Sequence, residues 1–192
     1  MTKRAAVAIS GASGMPYARR LLEILAKLEV ELYVVASDAS LPIYESEMGE
    51  SFGRFSAEFS EKYSEVKFYS ESDFSAPIAS GSFNFDAMAI CPCSMKTLAG
   101  ICHGYAENLL LRAADVALKE RRRLVLVARE TPLALTHLRN MCAATEAGAV
   151  ILPACPAFYG KSESVFDLVN FVAARTVAAM GFEHNEIAPW GE

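Results

Sequence analysis

Ala5-Ala6-Val7-Ala8-Ile9, closed by Ser10-Gly11-Ala12-Ser13-Gly14 and followed by Met15-Pro16, is the stretch whose reading decides the fold. Five apolar residues without polar alternation suit a short strand buried on both faces. The glycines and serines then allow a tight turn, and Pro16 is tolerated in a first helical turn because the N–H it lacks has no acceptor there. Leu21, Leu22, Leu25 and Leu28 recur at helical spacing, and Leu32-Tyr33-Val34-Val35-Ala36 reads as a second buried strand ending at Ser37. Strand, helix and buried strand in succession make a βαβ unit.

Working outward, further strands are predicted at Val66–Tyr69, Ala87–Cys91, Leu124–Ala128 and Val150–Leu152. Helices are predicted at Asp38–Glu47, Phe52–Tyr63, Ser94–Ile101, Asn108–Arg121, Thr136–Ala147 and Ser164–Met180. The alternation predicts an α/β protein with a doubly wound parallel sheet and helices on both faces. No repeat or Pro/Gly/Ser-rich linker divides the chain, so residues 1–192 are expected to form a single domain with an irregular tail from about residue 181. Gly49–Ser64 reads as the most polar internal stretch.

The composition, 53% hydrophobic and 21% charged, supplies a core and excludes a disordered chain. A formal net charge of −5 gives no general attraction to nucleic acid or anionic lipid, so neither is an expected partner. No apolar run approaches the ~18 residues that would span a bilayer. Met1-Thr2-Lys3-Arg4 leads into a strand rather than a signal peptide, and the expected address is the cytoplasm. The five cysteines lie in apolar segments and are expected to be reduced, buried thiols.

In a doubly wound sheet, ligands bind beyond the carboxyl ends of the strands. Gly11-Ala12-Ser13-Gly14 offers backbone N–H groups and a hydroxyl to an anion, although it lacks the G-x-G-x-x-G pattern of dinucleotide folds. Ser37 follows the second strand and Ser94-Met95-Lys96-Thr97 the fourth, and three such loops at one edge suit a mononucleotide. Arg112 and Lys119 fall on one helical face with Asp115 between them, which read alone is a solvated face with an Asp115–Lys119 pair. Arg129-Glu130 follows the fifth strand directly, at the edge where sites are built. Tyr159 ends the rigid segment Pro153-Ala154-Cys155-Pro156-Ala157-Phe158, and Arg175 lies on the next helix. His103, His137 and His184 are isolated, so each reads as a hydrogen-bonded structural residue and no metal is expected. Cys91-Pro92-Cys93 reads as packing, and the absence of G-x-S-x-G leaves no nucleophile elbow.

Taken in order, Ser10–Gly14, Ser80-Gly81-Ser82-Phe83, Cys91–Ile101, Leu111–Arg122, Arg129-Glu130-Thr131-Pro132-Leu133 and Pro156-Ala157-Phe158-Tyr159 resemble the UbiX-type flavin prenyltransferases over nearly the whole chain. The resemblance implies a flavodoxin-like, three-layer α/β/α Rossmann fold. It implies transfer of the dimethylallyl group of dimethylallyl monophosphate to N5 and C6 of reduced FMN, giving prenylated FMN for a UbiD-type decarboxylase. Carried over by position, it implies that Gly11, Ala12, Ser13, Ser37, Ser94, Met95, Lys96, Thr97 and Arg129 hold FMN. Arg112, Lys119, Tyr159 and Arg175 would hold the prenyl phosphate, with Lys119 also assisting the chemistry. Glu47 and Glu130 match the two catalytic carboxylates, and Ser13 a residue at the reacting flavin edge. A homododecamer with sites shared between subunits is implied as well.

Met15-Pro16, Arg123 and the Gly49–Ser64 stretch depart from the family pattern. The alternatives are an FMN-dependent cysteine decarboxylase of the same superfamily and a non-enzymatic FMN-binding subunit of a decarboxylase complex. The first would need a P-x-M-N-x-x-M-W-like segment that this sequence lacks, and the second would not need the cationic cluster.

Cleaving an allylic C–O bond leaves a delocalised cation and a more negative phosphate, so the site must hold the phosphate while keeping water from the cation. Arginine and lysine cations, with a tyrosine hydroxyl as a further hydrogen-bond donor, do this, and no metal is then required.

Overall fold

β1 (Arg4–Ile9) is buried along its whole length after Arg4, and its side chains divide between two cores. Ala5, Val7 and Ile9 face one core, while Ala6 and Ala8 face the other. A central parallel strand therefore carries an unbroken apolar run, because alternate residues enter opposite layers. The computed structural model describes residues 3–158 and 162–187.

Around β1 the chain forms α1 (Met15–Lys27), β2 (Glu31–Ala36), a 3-10 turn (Asp38–Ser40), α2 (Leu41–Met48), α3 (Phe52–Lys62) and β3 (Val66–Ser70). A second 3-10 turn (Pro77–Ala79) leads to β4 (Ala87–Cys93), α4 (Met95–Cys102), α5 (Leu109–Lys119), β5 (Arg123–Ala128), α6 (Leu135–Glu146), β6 (Val150–Pro153) and α7 (Val165–Met180). The six strands form one parallel sheet in the order β3-β2-β1-β4-β5-β6, the flavodoxin-like, Rossmann-type three-layer α/β/α arrangement. α1, α3 and α7 pack into one core, and α4, α5 and the base of α6 into the other. The order reverses between β1 and β4, and such a switch opens a crevice at the carboxyl edge.

The structure refines the sequence reading at four places. The helix predicted over Asp38–Glu47 divides into a 3-10 turn and α2, since Pro42 in the first turn of α2 has no N–H to continue the preceding turn. The polar Gly49–Ser64 stretch conceals an aromatic stripe: Phe52, Phe55 and Phe59 share a face of α3 and meet Phe68 of β3, with Phe52 and Phe68 at 5.8 Å edge to face. Met15 is fully buried in the α1-side core, so the departure from the family pattern there changes packing beneath the glycine turn. The cysteines are only partly as expected, because Cys91 and Cys93 are buried but Cys142 and Cys155 are exposed. Among the described residues no helix is long and apolar enough to cross a membrane.

Candidate active site

Two serines tie the loops at the switch point together. The Ser10 hydroxyl donates to the Pro92 carbonyl (2.8 Å) and accepts the Ser94 N–H (2.8 Å), fixing the β1 turn against the start of α4. Ser94 caps α4 by accepting the Thr97 N–H at 3.2 Å. The first-turn N–H groups of Met95 and Lys96 have no acceptor within the helix and face the carboxyl edge, the usual anion-binding geometry.

Gly11 is required by close approach. A Cβ there would lie 2.9 Å from the Ala39 Cβ of the turn after β2. The Ser37 hydroxyl in that same turn is buried and has no hydrogen-bond partner among the described residues. Between these loops opens a cleft of about 780 Å³ whose lining includes Gly11, Ser37, Ser94, Lys96, Thr97 and Glu130, along with Met95. Lys96 reaches across its mouth to Glu107 at 3.5 Å.

Ala12, Ser13 and Arg129 stand just outside this lining, and Ser13 and Arg129 are drawn toward Glu47 instead. The Glu47 carboxylate accepts the Gly14 N–H (2.9 Å) and the Met15 N–H (2.8 Å), so it closes the N-terminus of α1 from α2. Partial burial opposes its ionisation. The hydrogen bonds from Ser13, Gly14 and Met15, with the charge of Arg129, outweigh that and hold its carboxyl below the ordinary range. Glu47 is therefore an ionised acceptor at neutral pH. Tyr17, which the sequence reading passed over, lays its ring against Gly14 in the same corner. Burial pushes its phenol up, with Arg129 pulling the other way. The only sequence sign of Tyr17 was its place one turn into α1.

The cationic residues do not meet within one chain. α5 starts at the carboxyl edge and ends at the amino edge, where it turns into β5. Arg112, near its start, donates to the Ala79 carbonyl at 2.9 Å and to Asp115 at 2.7 Å. Lys119, at its end, pairs with Glu120 rather than with Asp115 as the helical spacing predicted. Arg175 is exposed on α7, which packs into the core on the other face of the sheet. Within one chain the sheet itself separates Arg112 and Lys119 from Arg175. Tyr159 lies outside the described residues. Of the histidines, His137 accepts the Ala134 N–H and His184 bonds the Ala174 carbonyl, both local structural contacts.

A sequence model of the family described as Flavoprotein matches residues 1–177. The flavin prenyltransferase UbiX of Methanocaldococcus jannaschii is 40% identical over 185 residues, covering 96% of this chain and 97% of that protein. This chain belongs to the UbiX flavin prenyltransferase family of flavoproteins. Its Archaeoglobus fulgidus relative of the same name is 44% identical over 180 residues, covering 94% of this chain and 96% of the relative. A crystal structure described as AnUbiX (PadA1) with FMN and dimethylallyl pyrophosphate superposes with a TM-score of 0.93 at 40% identity, covering 100% and 99% of the two chains. A dodecameric FMN-dependent UbiX-like decarboxylase from Escherichia coli O157:H7 gives 0.90 at 41% identity, over 98% and 100%. A PPC decarboxylase at 17% identity and TM-score 0.65 shares the fold alone.

For a flavin prenyltransferase of this family, the residues present fit FMN on the structure's own terms. The unpartnered Ser37 hydroxyl and the open first turn of α4 are donors without acceptors at the edge of a cleft large enough for a mononucleotide. Gly11→Ala tests this fit, since the added methyl must push the Gly11 and Ala39 turns apart. FMN affinity is expected to fall ~10-fold, about 1.4 kcal/mol, in equilibrium dialysis. Unchanged affinity would show that the two turns do not jointly hold the phosphate.

Proposed function

We propose that this protein transfers the dimethylallyl group of dimethylallyl monophosphate to N5 and C6 of reduced FMN, releasing phosphate and prenylated FMN for a UbiD-type decarboxylase. Reduced FMN supplies the nucleophilic flavin edge. The observation that carries the reading is the corner of Ser13, Glu47 and Arg129 beside the phosphate-binding loops, a polar, charge-balanced surface at the mouth of a mononucleotide cleft. Glu47, ionised and held by two backbone N–H groups, orients a hydrogen-bond donor at the flavin edge and is not a source of protons. Glu130 lines the cleft and, among the described residues, accepts only the neighbouring Thr131 N–H at its Oε1, so it is placed to exchange protons with solvent and with the released phosphate.

The prenyl phosphate is held, on this reading, where copies of the chain meet: Arg112 and Lys119 from one subunit face Arg175 and Tyr159 of another. The separation of α5 from α7 within the chain supports it, as does the exposure of Leu133 just before α6 and of Leu135 and Leu138 on it. A homododecamer is the expected assembly. We infer a cytoplasmic address, supported by five cysteines carried as free thiols.

Anaerobic incubation of the protein with reduced FMN and either dimethylallyl monophosphate or the pyrophosphate, followed by mass spectrometry of the flavin, tests the proposal. A gain of one prenyl unit is expected with the monophosphate. An unaltered flavin with both donors would overturn the reading.

A further inference from the structure

Glu71, the first residue after β3, ties together the turn after β2 and the start of α5 on one wall of the cleft. Its Oε1 accepts the Asp38 N–H at 3.0 Å, its Oε2 accepts Asn108 Nδ2 at 2.6 Å, and its carbonyl accepts the Leu109 N–H at 2.7 Å. Asp38 opens the 3-10 turn that follows Ser37. Asn108 is the N-cap of α5, where its Oδ1 accepts the Leu111 N–H at 3.0 Å. One side chain thus spans the loops after β2 and β3 and the start of α5, and Glu71, Asp38, Asn108 and Ser37 all line the cleft.

This arrangement runs against simple electrostatics, because a carboxylate on the wall of a cleft for a phosphate dianion is repulsive. Both of its oxygens are turned to donors, one a backbone N–H at the Ser37 turn and the other the amide of a helix cap. With those donors it fixes the wall that carries the unpartnered Ser37 hydroxyl.

We propose that Glu71 is a positioning residue for FMN, acting through Asp38 and Asn108 to hold the Ser37 wall at the spacing that the phosphate needs. The proposal rests on the FMN reading above and adds to it a residue outside the loops that contact the phosphate.

Glu71→Gln offers one acceptor where two are needed and turns an NH2 group toward a second donor. Asn108→Asp sets two carboxylates against each other but keeps the cap on Leu111. The double variant Glu71→Gln, Asn108→Asp reverses the donor and acceptor of the contact while keeping both the cap and the total charge. FMN affinity is read by quenching of flavin fluorescence, with thermal unfolding measured alongside.

Each single variant is expected to bind FMN ~10-fold more weakly than wild type. The double variant is expected to return to within ~3-fold of wild type, a reciprocal rescue that two independent losses would not produce. FMN binding by Glu71→Gln as tight as or tighter than wild type would overturn the proposal, since charge repulsion would then be the larger effect. Unfolding at lower temperature with unchanged FMN affinity would overturn it as well, leaving Glu71 a purely structural brace. Wild type failing to bind FMN would overturn the FMN reading together with this one, whereas tight wild-type binding with no rescue in the double variant would overturn this one alone.

Discussion

Glu130→Gln is expected to leave FMN bound and to slow formation of prenylated FMN by ~10²-fold or more, the cost of removing a group that exchanges protons. Glutamine keeps the carbonyl that accepts the Thr131 N–H, so the local turn survives the change. Loss of a negative charge at the cleft would, if anything, favour phosphate binding, which separates a chemical defect from a binding defect. Glu47→Gln is expected to be slower than wild type by a similar factor, for a different reason. Its carboxylate receives the Gly14 and Met15 N–H groups and the Ser13 hydroxyl, and glutamine cannot accept all of them in the same geometry. Its defect should therefore include a looser glycine turn, visible as a lower thermal stability that Glu130→Gln does not share.

The pH dependence separates the two further. The folded-state pKa of Glu47 is depressed, so its contribution to stability is fully present above the pKa of an ordinary glutamate and is lost as pH falls through the depressed value. The stability difference between wild type and Glu47→Gln should shrink on acidification through that range. Rapid-quench kinetics with mass analysis of the flavin, beside thermal unfolding from neutral to acidic pH, measures all of this. Wild-type rates in both variants would return the two carboxylates to structural roles.

Lys119→Ala and Arg175→Ala should each abolish most transfer while leaving FMN bound, and mixing the two inactive variants should restore activity. The restoration follows from the fold: α5 and α7 lie on opposite faces of the sheet, so a phosphate bound by both residues must sit between two copies of the chain. In a randomly mixed assembly, about a quarter of the sites pair an intact Lys119 from one copy with an intact Arg175 from its neighbour. Activity of about a quarter of wild type is therefore expected after co-expression or co-refolding, with the oligomeric state followed by light scattering. If the mixture stays as inactive as its components, the two residues do not serve one shared phosphate. Loss of FMN from either variant would instead mean that its side chain belongs to the cofactor site.

The layered sheet was legible in the linear pattern because burial on both faces leaves a direct compositional trace. A strand such as Ala5–Ile9 has no polar alternation, and glycine and proline punctuate its end. The same holds for the loops at Gly11, Ser37 and Ser94, since residues at the carboxyl ends of parallel strands converge whatever the details of packing. The aromatic face of α3 was obscured by its polar neighbours, although its spacing was there to be read.

Other features had no local trace. That Glu47 would close the N-terminus of α1, or that Glu71 would bridge Asp38 and Asn108, depends on contacts between residues more than thirty positions apart. Nothing in the neighbouring sequence encodes them. Arg112, Lys119 and Arg175 show the converse: the family resemblance implies a common role for them, but only the fold places the sheet between them. Sequence by itself determined which elements form and which loops reach the working edge, because those follow from local geometry and the burial of apolar side chains. Tertiary structure alone decided which charges meet, because the distance between two side chains is set by how separate elements pack.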